Sequence, residues 1–308
     1  MSREQTFAHL RSSSVQIQNF GVLLVPDRCL DKVVWCSANS EELLGIPSYE
    51  ALQLSLKEII GPAAVHDIGN ALSLSTALLQ REQAGSTVLK EQRFTLWAHL
   101  RDGWPLVELE PKASFERPPA PTFDQLHSLL TRLERVEGLD RCLGDAVVGL
   151  RHFTGFERVM VCRLESDDCG AVIAEARGPE LTSLLGSYIP IAEHPVSRQG
   201  HGPYSGLRII GSLCEPESPL VTPKPDVKPP ALALALLRSV SSTDRAHLRS
   251  IGVSALMSFR LSVRRRLWGT VEFHHGTSRT VDPDVRAAVE IVLKFLALEI
   301  ARRSDNLE

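Results

Sequence analysis

The chain has 308 residues and a mass of 33.9 kDa, enough for two domains that each bury a core. Hydrophobic residues make up 43% and charged residues 23%, an ordinary globular balance, and no apolar run reaches the roughly 20 residues of a membrane span. A formal net charge of -3 supplies no general attraction for nucleic acid or an anionic membrane, so neither is an expected partner.

The first residues, MSREQTFAHLRSSS, are polar and lack the apolar segment of a secretory signal, so a cytoplasmic location is expected. Gly21-Val-Leu-Leu-Val reads as a strand that turns at Pro26-Asp-Arg28, with Lys32-Val-Val-Trp-Cys as its hairpin partner. Asn39-Ser-Glu-Glu-Leu-Leu predicts a short helix with Asn39 as N-cap, Glu41 and Glu42 at its positive end, and Gly45 as its stop. Tyr49-Glu-Ala-Leu and Leu56-Lys-Glu-Ile-Ile predict further short helices. Gln92 to Leu100 alternates apolar and polar residues, and Trp104 to Glu110 follows the Arg101-Asp-Gly turn as another strand. Pro111, Pro118, Pro119 and Pro121 mark a linker.

Phe123 to Phe153 carries a long helical pattern, with Leu126, Leu129, Leu130 and Leu133 on one face and Leu139, Leu143 and Val147 continuing it after Gly138. GFERVMVCRLESDDCGAVIAEAR, Gly155 to Arg177, predicts two strands around a polar turn. Gly211 to Pro230 is Pro-rich and has no periodic pattern, which predicts a long surface loop. Arg264-Arg-Arg266 sits between two apolar runs and reads as a hairpin turn rather than a nucleic-acid patch. Asp284 to Arg303 is a second long helix, striped by Val285, Val289, Val292, Leu296 and Ile300.

Six cysteines (Cys29, Cys36, Cys142, Cys162, Cys169 and Cys214) form no CxxC pair, so free thiols are expected and a zinc site is not. The sequence has no Gly-rich phosphate loop, kinase signature or Gly-x-Ser-x-Gly elbow, and no catalytic constellation. The expectation is that the chain is not an enzyme.

The wording of the strands carries more than their periodicity. Arg158-Val-Met-Val-Cys-Arg-Leu164 and Gly170-Ala-Val-Ile-Ala-Glu-Ala-Arg177 resemble the "R-V-M-V-Y-R-F" and "G-E-V-I-A-E-A-R" of bacterial phytochromes. Ile17-Gln-Asn-Phe-Gly21 is similar to "I-Q-P-H-G", and Ser187 to Pro195 sits where that family has "P-A-S-D-I-P". Leu236 to Gly252 resembles "V-L-R-x-x-S-P-x-H-x-x-Y-L-x-N-M-G", and Leu267 to His275 resembles "L-W-G-L-I-A-C-H-H". These segments follow one order from about Ile17 to Arg303.

The resemblance implies an α+β fold: a PAS domain over 15–110 after a 1–14 extension, the 111–122 linker, a GAF domain over 123–303 and a short 304–308 tail. It also implies a knot, with the segment around Ile17 threaded through the loop between roughly Gly200 and Pro230. The implied function is that of a sensory and signalling photoreceptor module whose GAF pocket binds a linear tetrapyrrole such as biliverdin. Arg208 and Arg238 match its propionate-binding arginines, Ser241 and Ser258 match hydroxyls near the second propionate, and His274 matches the histidine at the outer pyrrole ring.

Other positions depart from the pattern. Met1 to Gln16 contains no cysteine for thioether attachment, with Thr6 nearest the bacterial position, and Thr243 stands at the plant-type position. Glu193 replaces the motif aspartate and His194 the isoleucine beside it. Asp244 occupies the pyrrole-contacting histidine position, and Cys162, Gly202 and His247 occupy three aromatic ones. Any tetrapyrrole is therefore expected to bind without a covalent bond.

Each position also has a plainer reading. The arginines suit surface ion pairs, Ser241 an N-cap, Asp244 a helix first turn, Glu193 and His194 an exposed loop, and Cys162 core packing. Of His274 and His275, alternation sends one inward and one outward. The competing functional reading is a degenerate PAS–GAF protein that binds no chromophore and acts as a light-independent, redox or dimerisation module. A parallel homodimer through the two long GAF helices is expected, and no PHY, kinase or cyclase output segment is seen.

Overall fold

The structure is a computed structural model, and it describes residues 11–74, 81–112, 119–166, 169–190, 206–224 and 226–305. The chain divides into two units, one of 1–112 with 202–205 and 214–241, the other of 113–201 with 206–213 and 242–308.

In the first unit, an antiparallel seven-stranded sheet is built from β1 (Arg11–Ile17), β2 (Val22–Pro26), β3 (Val33–Ser37), β4 (Glu82–Leu89), β5 (Gln92–Arg101), β6 (Trp104–Pro111) and β11 (Ser218–Thr222). Its strand order is β1-β11-β3-β2-β6-β5-β4. The run Val22-Leu-Leu-Val25 is apolar throughout because it is buried on both faces. Val22 and Leu24 join Phe94, Leu96 and Leu109 under four short helices. These are α1 (Ser40–Leu44), α2 (Ser48–Ala51), α3 (Leu56–Ile60) and α4 (Pro62–Leu74).

Leu23 and Val25 point to the opposite face, where Leu220, Leu232 and Leu237 cover them. Ser55 and Glu58 cap α3 reciprocally, and Gly45 ends α1 in the left-handed conformation, as expected. Asn39 makes no side-chain cap. Its amide instead donates to the Gly21 carbonyl at 2.9 Å, a tertiary contact that competes with capping.

Three strands of this sheet are not expected from the sequence: β4, and two that depend on each other. β1 is polar at Ser12 to Ser14, and β11 lies in the Pro-rich stretch read as a loop. Each is a strand because it finds the other: Ser12 pairs with Val221, Ile17 with Ser218, and β11 then pairs with β3. Beyond β1, the Gln18 N–H donates to the Leu237 carbonyl at 2.7 Å, and its side-chain amide donates to the Arg238 carbonyl at 2.9 Å. Glu108, fully buried, accepts the Leu237 N–H at 2.8 Å. These contacts lay the Ile17–Gln18 segment against Leu237 and Arg238.

In the second unit, an antiparallel six-stranded sheet contains β7 (Arg158–Ser166), β8 (Cys169–Arg177), β9 (Tyr188–Pro190), β10 (Leu207–Ile210), β12 (Ala255–Val263) and β13 (Arg266–His275), in the order β10-β12-β13-β7-β8-β9. The expected long helix from Phe123 is two, α5 (Phe123–Arg135) and α6 (Leu139–Thr154), broken at Gly138 with φ 79°. Arg303, on α8 (Pro283–Asp305), donates to the Leu133 and Val136 carbonyls and satisfies the end of α5. α7 (Ser242–Ser250) completes the helices.

α6 packs on β7 and β8, and α8 packs on β12 and α6. They cover the sheet face that carries Val159, Val161, Phe259, Val271 and Phe273. The Arg264–Arg265 turn joins β12 to β13 with both residues at positive φ, as a tight hairpin requires. Gly269 is fixed by close backbone approach: a Cβ there would sit 2.1 Å from the Cys162 carbonyl oxygen.

Candidate functional site

The face of the second sheet turned away from these helices is polar where a core would be apolar. Antiparallel register places partner residues on one face. One row runs Arg208, Ser258, Glu272, Met160 and Glu175 from β10 to β8. The flanking rows bring Thr270 and Cys162 to one side, and His274 and Arg158 to the other. Met160 and Cys162 pack with Val172, Leu184 and Ile189 into a small apolar cluster beside these groups. The face is dry: Ser258 is 0% exposed, Glu272 3%, Arg208 5% and His274 7%.

Burial governs the protonation of this face. It depresses the His274 imidazole to about 3, with the Arg158 charge and then His247 adding to the effect. His274 is therefore neutral at ordinary pH, and its Nδ1 has no hydrogen-bond partner among the described residues. Burial pushes the Glu272 carboxyl up to about 7, against the lowering influence of the Thr270 and Ser258 hydroxyls. Ser258 Oγ donates to Glu272 Oε1 at 2.8 Å. The Thr270 hydroxyl favours the charged forms of Glu272 and Cys162, but is itself buried without a well-formed hydrogen bond.

Arg158 Nε lies 3.0 Å from Glu175 Oε1, and Arg158 Nη2 donates to the Thr182 carbonyl. Among the described residues Arg158 Nε makes no aligned hydrogen bond, so charge rather than direction holds the pair with Glu175. Glu175 also receives the Ser183 hydroxyl and the Leu184 N–H, which fixes the chain after β8 over this face.

The sequence-predicted residues divide clearly. Cys162, Arg208, Ser258 and His274 share this face. Asp244 is half-buried in the first turn of α7, and His247 is exposed on the same helix. Arg238 and Ser241 belong to the first unit, where Arg238 Nη1 donates to the Ala235 carbonyl at 3.2 Å. Glu193, His194, Gly202 and Thr6 lie outside the described residues. Burial raises the Cys162 thiol well above its usual value, and Glu272 raises it further, which fits the packing reading and not a reactive thiol. His275 does not face water as alternation suggested: it packs edge-on against Phe156 at 5.8 Å on the helix-covered face.

Glu272, Arg158 and Glu175 were not singled out from the sequence. Glu272 carried a signal: it stands at the alanine of "L-W-G-L-I-A-C-H-H", two residues from His274 and therefore on its face.

These residues fit a polar, N–H-bearing and acidic ligand in part. Arg208 and Ser258 suit a carboxylate, and the His274 Nδ1, without a partner among the described residues, suits a polar ring group. Glu272 does not suit a carboxylate while it is ionised. Among the described residues no group of ligands could hold a metal ion, and no helix is long and apolar enough to cross a membrane.

Comparison with known proteins agrees with this architecture. A PAS fold model matches residues 11–112 and a GAF domain model matches 138–300. A bacteriophytochrome of Xanthomonas campestris pv. campestris is 29% identical over 288 residues, covering 91% of this chain and 44% of that protein. Cyanobacterial phytochrome A of a Nostoc species is 26% identical over 304 residues, covering 95% and 39%. The chain thus spans about two-fifths of the length of these curated relatives.

The chromophore-binding domain of an unusual bacteriophytochrome from R. palustris superposes with a TM-score of 0.77 at 27% identity, over 94% of this chain and 97% of that one. The chromophore-binding domain of a wild-type Stigmatella aurantiaca phytochrome gives 0.77 at 26%, over 94% and 96%. The chain belongs to the GAF-domain family and is a PAS–GAF module of the phytochrome type.

Proposed function

We propose that this chain is the ligand-binding part of a cytoplasmic, phytochrome-like sensory protein that holds a linear tetrapyrrole, biliverdin first of all, without a covalent bond. The observation that carries the reading is the buried polar sheet face, where a neutral His274 presents a ring nitrogen with no partner among the described residues. Unpaired buried polar atoms are costly, and a bound ligand relieves that cost. Arg208 and Ser258 on the same face suit a propionate. The two attachment positions of the family hold no cysteine in this chain.

Signalling passes between two copies of the chain in this reading. The stripe of α8 is consumed within one copy, since Val289, Val292, Leu296 and Ile300 are buried. Ile291 and Leu298, two turns apart on α8, stay exposed with Val148 on α6 and Phe123 on α5. These residues are the natural seam of a parallel homodimer. The test of the ligand reading is a titration of biliverdin into the protein, followed by near-infrared absorbance. Saturable growth of a red-shifted band supports it, and an unchanged biliverdin spectrum refutes it in favour of a light-independent module.

A further inference from the structure

Glu272 is the one buried acid on the candidate face that lacks a described cationic partner, and the tetrapyrrole reading gives it no role. It sits at the centre of the row Arg208, Ser258, Glu272, Met160, and it is 3% exposed. The Ser258 hydroxyl has a single proton, and at 2.8 Å that proton is directed at Glu272 Oε1. An acidic ligand lying along this row meets the hydroxyl's lone pairs, not its proton. It also meets a like charge in a dry environment, where repulsion is strong. A proton on Glu272 removes the like charge and turns its carboxyl into a donor that an acidic ligand can use.

We infer that Glu272 couples acidic-ligand binding to a proton, so that a tetrapyrrole bearing propionates binds on this face together with one H+. The inference rests on the tetrapyrrole reading above and adds to it a residue that sets when the ligand is accepted. The chemistry is acid–base only. As the ligand enters, the Glu272 carboxylate takes a proton from solvent; as it leaves, the proton returns.

The surroundings leave Glu272 as the group of the face that changes charge near neutrality. Thr270 and His274 flank it on β13, Ser258 faces it from β12 and Arg208 stands beyond on β10. Met160, Cys162 and Arg158 face it from β7, with Glu175 of β8 paired to Arg158. His247 of α7 acts on His274. Burial keeps His274 neutral and the Cys162 thiol protonated, and guanidinium groups keep their charge. Burial brings the Glu272 carboxyl to about 7.

The test measures biliverdin affinity of the full chain at about pH 6 and about pH 8 for wild type, Glu272→Gln and Glu272→Ala. Wild-type affinity is expected to fall by about tenfold between the two, as the protonated fraction of a free carboxyl with a value of about 7 falls across that window. Both variants are expected to keep at the higher pH the affinity they show at the lower. A wild-type fall that both variants reproduce overturns the inference and leaves the tetrapyrrole reading standing. If no form binds at either pH, the tetrapyrrole reading fails and the inference fails with it.

Infrared spectroscopy of the ligand-free protein supplies a readout that depends on no ligand. Buried Glu108, also raised by burial, contributes a carboxyl band of its own, so the band is read as the difference between wild type and Glu272→Gln. A difference band at the lower pH that is lost at the higher is expected, and no difference band at the lower pH overturns the inference.

Discussion

Ser258 Oγ donates to Glu272 Oε1 at 2.8 Å across two neighbouring strands, on a face closed to water. The acceptor's ordinary value of 4.5 rises to about 7 on burial. Between those values the folded protein holds a proton that the unfolded chain has released. Stability from this group is therefore full below the unfolded value and is lost as pH rises through about 7. At about 1.4 kcal/mol per pH unit the loss is at most about 3 kcal/mol. His99 and His274, both depressed to about 3, act the other way, losing stability as pH falls below the ordinary imidazole value.

The difference between wild type and Glu272→Gln isolates the carboxyl. Urea unfolding across the window should show wild type weakening relative to the variant as pH rises. A constant difference would contradict the burial of this group as an acid.

The thiols offer a second check. Cys29 and Cys214 are exposed, Cys169 is half-buried, and Cys36, Cys142 and Cys162 are buried. Burial pushes the Cys36 thiol up to about 12. Native alkylation followed by mass spectrometry should modify Cys29 and Cys214 first, and Cys36 and Cys162 only on unfolding. Modification of Cys162 at the rate of Cys29 would mean that the face is open to solvent.

Much of this was legible in the sequence, for reasons that differ by element. The hairpin of β7 and β8 is local, with its turn and alternation written within 20 or so residues, and the Arg264–Arg265 turn is equally local. β1 and β11 were not legible, because each takes its conformation from a partner some 200 residues away. Asn39 looked like a cap but spends its amide on the Gly21 carbonyl, a contact that no local rule contains. In the site, Arg208, Ser258 and His274 followed from motif wording. Glu272 was missed because an acid at a strand position reads as solvent-facing until burial is known. Glu193 and His194 lie outside the described residues.

Gly269 gives a packing prediction. With a Cβ 2.1 Å from the Cys162 carbonyl oxygen, Gly269→Ala must part β13 from β7. Overpacking of this kind costs about 1–3 kcal/mol. A lowered urea midpoint is expected, and an unchanged midpoint would show that the strands do not approach so closely.

The exposed residues of α8 address assembly. If Ile291 and Leu298 form the seam of a homodimer, Leu298→Glu should place a charge in it and shift the protein to monomer in light scattering, with helix content unchanged. Leu298 is 69% exposed within one copy, so the change should leave the fold of each copy intact. A wild-type monomer at roughly tens of micromolar, or a dimer that ignores Leu298→Glu, would contradict the seam.

The claim that this buried face holds a tetrapyrrole without a covalent bond meets its most direct test in a single loaded sample. The protein is mixed with biliverdin, freed of excess ligand by gel filtration, and then divided. Near-infrared absorbance is read on the native half, and zinc fluorescence on a denaturing gel of the other. The expected result is absorbance that travels with the protein, no fluorescent band at its mass, and weaker absorbance when Arg208→Ala removes a charge-assisted bond worth about 1.5–3 kcal/mol. A fluorescent band would mean covalent attachment, and a native fraction with no bilin absorbance would mean that this face binds no such ligand.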